Sequence, residues 1–224
     1  MENNTGKAAS HREKVCQYVK KSIISHALLP GDMIYERSLA EQLGVSRTPV
    51  REAIQSLQDD GWLMVVPRKG TMVRQMKRVD IEEVLQLRTI IGTPAVTIAA
   101  RNATQADIAY FNGLIAQQEI AAENRDARAF LASDMTMHLD FVRFVSNRRM
   151  FAFAENLCDY FQCMGLHMLA ASNDSFQKSI DDHRGIVNAI AKGEGEGAQK
   201  LLTEHIQSTR TVILRYLAES ESGT

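Results

Sequence analysis

Residues 36–63, ERSLAEQLGVSRTPVREAIQSLQDDGWL, contain two helical patterns that are separated by a very short connection. Apolar residues of the first pattern share one face, and Gly44 is a typical C-terminal stop. The second pattern begins about three residues later, with Ser46 or Thr48 as its N-cap. Pro49 lies in its first turn, where the missing N–H costs nothing. Two helices joined by so tight a turn indicate a helix-turn-helix, which restricts the fold of this region strongly.

The second of these helices has two chemically different faces. Its apolar stripe is directed to a core and consists of Val50, Ala53, Ile54 and Leu57. The neighbouring face carries Arg47, Thr48, Arg51 and Gln55. A planar guanidinium pairs with guanine in the major groove, and hydroxyls together with helix-terminal amides bind phosphate. This face is therefore suited to DNA, although a solvated basic face explains any single arginine as well.

Predicted elements on both sides complete a winged helix-turn-helix. Apolar residues at helical spacing between residues 12 and 26 predict a preceding helix. Two β-prone runs follow the pair, at 62–66 and 71–76, with a turn at 67–70 that predicts a hairpin. Helix, helix, helix, hairpin is the order of the winged fold. Five cations lie on the elements that this fold presents to DNA: Arg37, Arg47, Arg51, Arg68 and Lys69.

Charge is divided unevenly along the chain of 224 residues. Residues 1–78 carry 13 Lys/Arg and 8 Asp/Glu, whereas the remainder carries 13 and 19. A basic first third agrees with a polyanion-binding module, but imbalances of this size also arise by chance. No apolar run is long enough for a membrane span or a signal peptide. Because Cys16, Cys158 and Cys163 lack metal or redox spacing, we expect a cytoplasmic protein with reduced cysteines and no membrane partner.

The chain after residue 78 lacks strand signals, and its patterns predict a bundle of about six or seven helices. The predicted helices are 79–101, 104–124, 126–146, 150–171, 176–192 and 196–219. Pro94 falls inside the first of them and is expected to kink or split it. Thr104 with Asp107 predicts a capping box, residues 173–175 predict a capping cluster, and the GEGEG sequence at 193–197 predicts a break.

The predicted fold class is mainly α, with a winged helix-turn-helix before an all-helical bundle. Four regions are expected: a flexible tail at 1–11, the winged helix-turn-helix at 12–76, a linker at 77–79 and the helical domain at 80–220. We expect the helical domain to bind an effector and to form the dimer.

The run LAEQLGVSRTPVREAI, with the later PRKGTMV, resembles the N-terminal domain of the GntR family of bacterial transcription regulators. The resemblance extends over nearly all of residues 12–76. It implies DNA contacts at Arg37, Ser46, Arg47, Thr48, Arg51, Lys69 and Gly70. A homodimer on a pseudo-palindromic operator of double-stranded DNA is the expected assembly for such a protein. Repression is the default expectation.

Four residues of the helical half form a candidate metal site. Asp134 and His138 are four residues apart and therefore project from one helical face, while His183 and His205 lie on two later helices. Such a set can enclose a divalent cation, and imidazole suits Zn, Ni, Fe or Cu, of which we favour Zn. The alternative is a set of hydrogen-bonded core histidines, which is the commoner situation for a single histidine on an amphipathic helix.

Around these four residues, the helical half is similar to the ligand-binding domain of the FadR subgroup, in its FCD-type branch. The resemblance covers residues 79–217, loosely except near the candidate ligands. It implies a metal at those ligands and a small carboxylate effector at Arg88, which matches an effector-binding arginine. Where the family usually has Glu, this chain has Gly92, so we expect a reshaped pocket. A plain interhelical salt bridge is the alternative role of Arg88.

These patterns predict a transcription regulator and not an enzyme. The effector would favour one arrangement of the bundle and thereby alter the spacing of two DNA-binding domains. Two other interpretations stay open: a sensor whose signal is the metal ion itself, and a metal-dependent hydrolase, which would lack an obvious general base.

Overall fold

The computed structural model describes residues 10–169 and 174–222, and all of their side chains except those of 164–169, 174–175, 216 and 220–222. The chain divides into two compact units between Met76 and Lys77. Within the described residues, no helix is both long enough and apolar enough to cross a membrane.

The N-terminal unit contains three helices and a small antiparallel sheet. Its elements are α1 (His11–Ile24), β1 (Met33–Ile34), α2 (Glu36–Leu43), α3 (Arg47–Asp59), β2 (Leu63–Val66) and β3 (Gly70–Val73). The strand order is β1-β3-β2, so the predicted hairpin of β2 and β3 is confirmed and a third strand is added. Strand β1 was not predicted, because two residues carry no periodic signal and only their pairing with Met72 and Thr71 defines them.

Three helix faces form the core of this unit. The apolar stripe predicted for α3 is confirmed, since Val50, Ala53, Ile54 and Leu57 are all buried. Helix α1 buries Val15, Val19 and Ile23. Gly44 has a φ of 63° and ends α2 in the left-handed conformation that glycine adopts readily.

The first helix begins earlier than the predicted tail allows. Ser10 is the N-cap of α1 and forms a capping box with Glu13, so His11 is already helical. The rest of the predicted tail, residues 1–9, lies outside the described residues.

The C-terminal unit is helical throughout its described part. Its helices are α4 (Arg78–Asn102), α5 (Gln105–Glu123), α6 (Ala127–Arg143), α7 (Arg148–Leu169), α8 (Asp174–Ala191) and α9 (Gly195–Ser222). The predicted bundle is therefore confirmed, as are its approximate helix bounds, except for the predicted end at residue 171, which lies outside the described residues. Helix α4 already begins at Arg78, inside the predicted linker 77–79, because the backbone N–H of Lys77 donates to the Asp80 carboxylate at 2.7 Å.

Pro94 does not split its helix, so that part of the prediction is wrong. Helix α4 continues without interruption through the proline to Asn102. The Pro94 ring is exposed, whereas Thr93 and Ala95 on either side of it are buried. Packing of these neighbours holds the segment helical despite the lost backbone hydrogen bond.

Two predicted helix boundaries have different outcomes, and a third cannot be compared. The capping box of Thr104 and Asp107 is confirmed at the start of α5. The GEGEG break is shorter than predicted, because only Gly193, with a φ of 74°, and Glu194 precede the α9 start, while Gly195 is already helical. A Cβ atom on Gly195 would lie 3.1 Å from Thr97 Cγ2, so glycine lets α9 begin directly against α4. The capping cluster at 173–175 lies outside the described residues, except for the backbone of 174 and 175.

Two helical glycines should respond differently to alanine, because one is exposed and the other is packed. At Gly113 an added Cβ would meet no atom within 4 Å, whereas at Gly92 it would lie 3.0 Å from Leu202 Cδ2. We expect Gly113→Ala to raise the free energy of unfolding by about 0.5–1 kcal/mol, because alanine reduces the entropy of the unfolded chain. Gly92→Ala should raise the free energy of unfolding by a smaller amount, since Leu202 must move to make room for the added Cβ. Urea denaturation compares the two, and an equal gain would contradict the close α4–α9 packing.

Candidate metal centre and nucleic-acid interface

Three helices bring the four predicted metal ligands together. Helix α6 presents Asp134 and His138 one turn apart, α8 contributes His183 and α9 contributes His205. All four side chains are buried, and one potential ligand atom from each lies within 4.8 Å of the others. These four residues are called the Asp/His cluster below. The spacing in the sequence suggested that they could meet, and the structure brings them together.

Distances within the Asp/His cluster are those of atoms that converge on one point. Asp134 Oδ1 lies 3.2 Å from His183 Nε2 and 4.0 Å from His138 Nε2. The His205 ring centroid lies 4.6 Å from that of His183 and 5.2 Å from that of His138. Ligand atoms held about 2.0–2.1 Å from a tetrahedral ion are about 3.3 Å apart. The shortest of these distances therefore agrees with shared coordination.

Unsatisfied nitrogens support the same interpretation. The Nε2 atoms of His138 and His183 are buried and have no hydrogen-bond partner among the described residues. His183 Nε2 lies close to Asp134 but makes no hydrogen bond with it. Buried polar atoms normally have partners, so two orphan nitrogens directed at one carboxylate fit a cation that both would bind.

The protonation states of Asp134, His138 and His205 are those that a metal requires. Burial alone would raise the pKa of Asp134, but His138, His183 and Arg88 outweigh it and hold that pKa well below its usual range. Burial, followed by the charge of Arg88, holds the pKa of His138 well below its ordinary value. Burial likewise lowers the pKa of His205 to about 4. At neutral pH the carboxylate is therefore ionised and these imidazoles are neutral.

Arg88 lies beside the Asp/His cluster and is bound to one of its members. The Arg88 Nη2 donates to Asp134 Oδ2 at 3.1 Å, so Asp134 uses one oxygen for arginine and directs the other at the histidines. The Arg88 guanidinium also lies over the Phe161 ring, 4.1 Å from its centroid. The interhelical salt bridge that the sequence left as an alternative is thus present, and the effector role stays a prediction.

A small cavity adjoins Arg88 and His138. Its volume is about 30 Å³, and Gly92, Phe141 and Cys158 also line it. A buried water needs about 10–15 Å³ on this measure, so the cavity has room for about two waters. A larger molecule could enter only if side chains moved.

Sequence reasoning missed two residues that support the histidines. Gln118 Oε1 lies 2.8 Å from His183 Nδ1, and Asp182 Oδ2 lies 3.3 Å from His205 Nδ1. Asp182 directly precedes His183 in the sequence, which is a weak signal of proximity. Gln118 carries no signal, because it lies on α5, a helix without any candidate ligand.

All eight residues that were predicted to contact DNA are exposed on the N-terminal unit. They are Arg37, Ser46, Arg47, Thr48, Arg51, Arg68, Lys69 and Gly70. Ser46 is the N-cap of α3, but its side chain makes no capping hydrogen bond and its hydroxyl is available to a ligand. The structure therefore brings the predicted residues of the two helices onto accessible surface.

Sequence reasoning also missed Glu36, which pairs with Arg47 and Arg51 of α3. Glu36 Oε2 accepts from Arg51 Nε at 2.7 Å and from Arg47 Nη2 at 3.5 Å. The hydrogen bond from Arg51 lowers the pKa of Glu36. Both arginine side chains stay about 60% exposed, so they remain accessible while the carboxylate holds them. Arg37 instead pairs with Glu41 on its own helix, at 2.9 Å.

The wing presents its basic residues through a tight turn. Lys69 N donates to Val66 O at 3.0 Å and closes the turn. Arg68 has a φ of 65° and Gly70 a φ of 113°, so the turn positions on either side of Lys69 both have left-handed backbone. Gly70 suits that conformation because it has no Cβ, whereas Arg68 adopts it with a side chain that remains in solvent.

Comparison with known proteins gives this architecture a family. Residues 11–73 match the family described as bacterial regulatory proteins, gntR family, and residues 83–208 match the FCD domain. The chain is 31% identical over 193 residues to a probable D-xylose utilization operon transcriptional repressor of Paenarthrobacter nicotinovorans, with 86% of this chain and 84% of that protein covered.

Two solved structures share the fold. One is Escherichia coli McbR/YncC, with a TM-score of 0.79 and 24% identity, covering 92% of this chain and 98% of that one. The other is a transcriptional regulator from Rhodococcus sp. RHA1, with a TM-score of 0.77 and 20% identity over the same shares. At these identities the likeness concerns the fold alone.

The matched families are transcriptional regulators, which confirms that the chain is not an enzyme and removes the hydrolase alternative. The chain therefore belongs to the GntR family of bacterial transcriptional regulators, in which an FCD domain here follows the DNA-binding domain.

Proposed function

We propose that this DNA-binding regulator is a repressor that binds a pseudo-palindromic operator as a homodimer and responds to a small carboxylate at a zinc-containing site. The observation that carries the proposal is the Asp/His cluster, four buried ligands contributed by three helices. Nickel or another transition metal would suit the same nitrogen-rich set, but three imidazoles with one carboxylate form a donor set that zinc accepts readily, so we favour zinc.

Charge in the buried site favours an anionic effector. The carboxylate of Asp134 and the guanidinium of Arg88 compensate each other across 3.1 Å. A divalent ion held by the Asp/His cluster would supply two positive charges that no described side chain of the cluster neutralises. A buried excess of positive charge is costly unless an anion accompanies it, and a small carboxylate would provide that anion.

Arg88 is suited to bind that carboxylate without leaving Asp134. Its Nη2 donates to Asp134, but among the side chains that the structure describes its Nη1 has only the sulfur of Met135, at 3.8 Å, as an acceptor. Thioether sulfur is a weak acceptor, so a carboxylate oxygen would be a better partner for Nη1. Arg88 would then link the effector to α6 through Asp134.

Regulation needs an effector that binds one arrangement of the bundle better than another. Couplings of about 1–3 kcal/mol between two sites are usual and correspond to roughly 5–150-fold in operator affinity. The cavity of about 30 Å³ is too small for most carboxylates, so effector entry requires side-chain movement. Such movement would make the effector favour one arrangement of the helices over another.

Fluorescence anisotropy tests this proposal, with the genomic DNA fragment that the protein binds most tightly. Metal-free protein, zinc-loaded protein and zinc-loaded protein with a panel of small carboxylates are titrated against that fragment and a scrambled duplex. We expect specific binding, and a roughly 5–150-fold shift with one carboxylate class only when zinc is present. Equal affinity for both duplexes would contradict operator recognition, and a symmetric footprint checks the dimer.

A second function is favoured by the cavity volume. Room for about two waters suits an ion with bound water better than an organic molecule, so the metal itself would be the signal. In that case operator affinity would follow the free zinc concentration across a physiological range, and no carboxylate would change it further.

A further inference from the structure

Gln118 is a fully buried residue, and the oxygen and nitrogen of its side-chain amide differ in their hydrogen bonding. Its side chain lies on α5 with 0% of its surface exposed. The Oε1 atom lies 2.8 Å from His183 Nδ1, whereas the Nε2 atom has no hydrogen-bond partner among the described residues. An unsatisfied buried amide costs free energy, so an apolar side chain would be the more stable choice if the position were only part of the core.

His183 has a competing acceptor on its opposite side. Its Nε2 lies 3.2 Å from Asp134 Oδ1, which is within reach of a hydrogen bond if Nε2 carries the proton. A neutral imidazole carries one proton, on Nδ1 or on Nε2. If the proton were on Nε2, it would face the Asp134 carboxylate and occupy the lone pair that a metal needs.

We propose that Gln118 is a positioning residue that keeps the His183 proton on Nδ1, so that the Nε2 lone pair is directed into the Asp/His cluster. The Gln118 carbonyl oxygen accepts from Nδ1–H and thereby opposes the attraction of Asp134 for a proton on Nε2. This inference rests on the metal site of the proposed function and adds the device that prepares it.

His205 shows the same arrangement with a charged acceptor. Asp182 Oδ2 lies 3.3 Å from His205 Nδ1, and Lys178 Nζ donates to both Asp182 oxygens at 3.0 Å. A partner on the second ring nitrogen orients a ligating histidine and selects its tautomer. The two histidines from α8 and α9 would thus both present Nε2, one held by an amide and one by a carboxylate.

Gln118→Met tests the proposal, because methionine fills a similar volume but accepts hydrogen bonds poorly. We expect ¹⁵N-histidine NMR of the metal-free wild type to show the Nδ1–H tautomer at His183, and Gln118→Met to shift it toward Nε2–H. Zinc affinity, measured by competition with a chromophoric chelator, should fall about 10–100-fold. Gln118→Glu retains an acceptor for Nδ1–H and should preserve the wild-type tautomer.

Gln117→Met is the matched control, since Gln117 precedes Gln118 on α5 but is exposed. It should leave both the tautomer and zinc affinity unchanged. An Nε2–H tautomer in wild-type protein would overturn the proposal without any variant, as would unchanged zinc affinity in folded Gln118→Met. Because the tautomer is recorded in metal-free protein, it tests the role of Gln118 independently of zinc binding. A wild type that bound no zinc would contradict the proposed function but not the role of Gln118.

Discussion

Replacing His183 with alanine is expected to remove tight zinc binding and the stability that zinc confers. His183 is fully buried, and its Nε2 lies 3.2 Å from Asp134 Oδ1. Loss of a supporting hydrogen bond typically costs about 10–100-fold in metal affinity, so loss of a ligand should cost more. Equilibrium dialysis with zinc should therefore show a decrease of more than about 100-fold.

Zinc should also raise the melting temperature of the wild type but not that of His183→Ala. A ligand that binds only the folded state adds about 2.7 kcal/mol of stability at 100 times its Kd. For a chain of 224 residues this corresponds to about 5–11 °C. Scanning calorimetry of metal-free and zinc-loaded protein measures the shift.

The exposed His11 provides the control for this experiment. His11→Ala removes an imidazole of the other unit and should leave the zinc content and the thermal shift as in wild type. Equal zinc in His183→Ala and the wild type would refute the site. Zinc that binds tightly without raising the melting temperature would place the ion outside the folded cluster.

Arg51→Ala is expected to have the second-largest effect, on operator recognition. Arg51 lies one turn into α3 with its side chain 62% exposed, and Glu36 holds its Nε at 2.7 Å. Because an arginine that pairs with a base contributes about 1–3 kcal/mol of discrimination, operator affinity should fall roughly 5–150-fold. The preference for the operator over scrambled duplex should fall with it.

Arg51→Lys and salt titrations distinguish a base contact from a phosphate contact. Lysine keeps the charge without the planar fork, so it should not restore selectivity if Arg51 contacts a base. If Arg51 only contacts phosphate, its loss weakens binding to all sequences equally and reduces the salt dependence. Arg149→Ala, an exposed change on α7, is the control and should leave affinity unchanged. Unaltered affinity and selectivity in Arg51→Ala would contradict its role.

Local patterns were sufficient wherever one helix or turn decided the outcome. The buried stripe of α3, the left-handed Gly44 and the Thr104 capping box depend on residues within one or two turns. The Asp134 and His138 pair was predictable for the same reason, since a separation of four residues places two side chains on one helical face.

Predictions failed where packing outweighed a local preference. Pro94 lies in an unbroken helix because its buried neighbours hold the backbone helical. The break predicted for GEGEG is shorter than expected because Gly195 is already helical where it packs against Thr97. Strand β1 exists only because β3 lies beside it. Propensity describes an isolated segment, and tertiary contacts of comparable energy can reverse it.

The sequence by itself determined the class of protein, because the residues of α2, α3 and the β2–β3 turn that form the family's motif lie close together in the chain. Only the tertiary structure decided that His183 and His205 meet Asp134, that Arg88 binds Asp134, and that Gln118 supports His183. These residues come from five helices, and their side chains touch only after the helices pack. Periodicity shows which face of a helix is buried but not which helix will cover it.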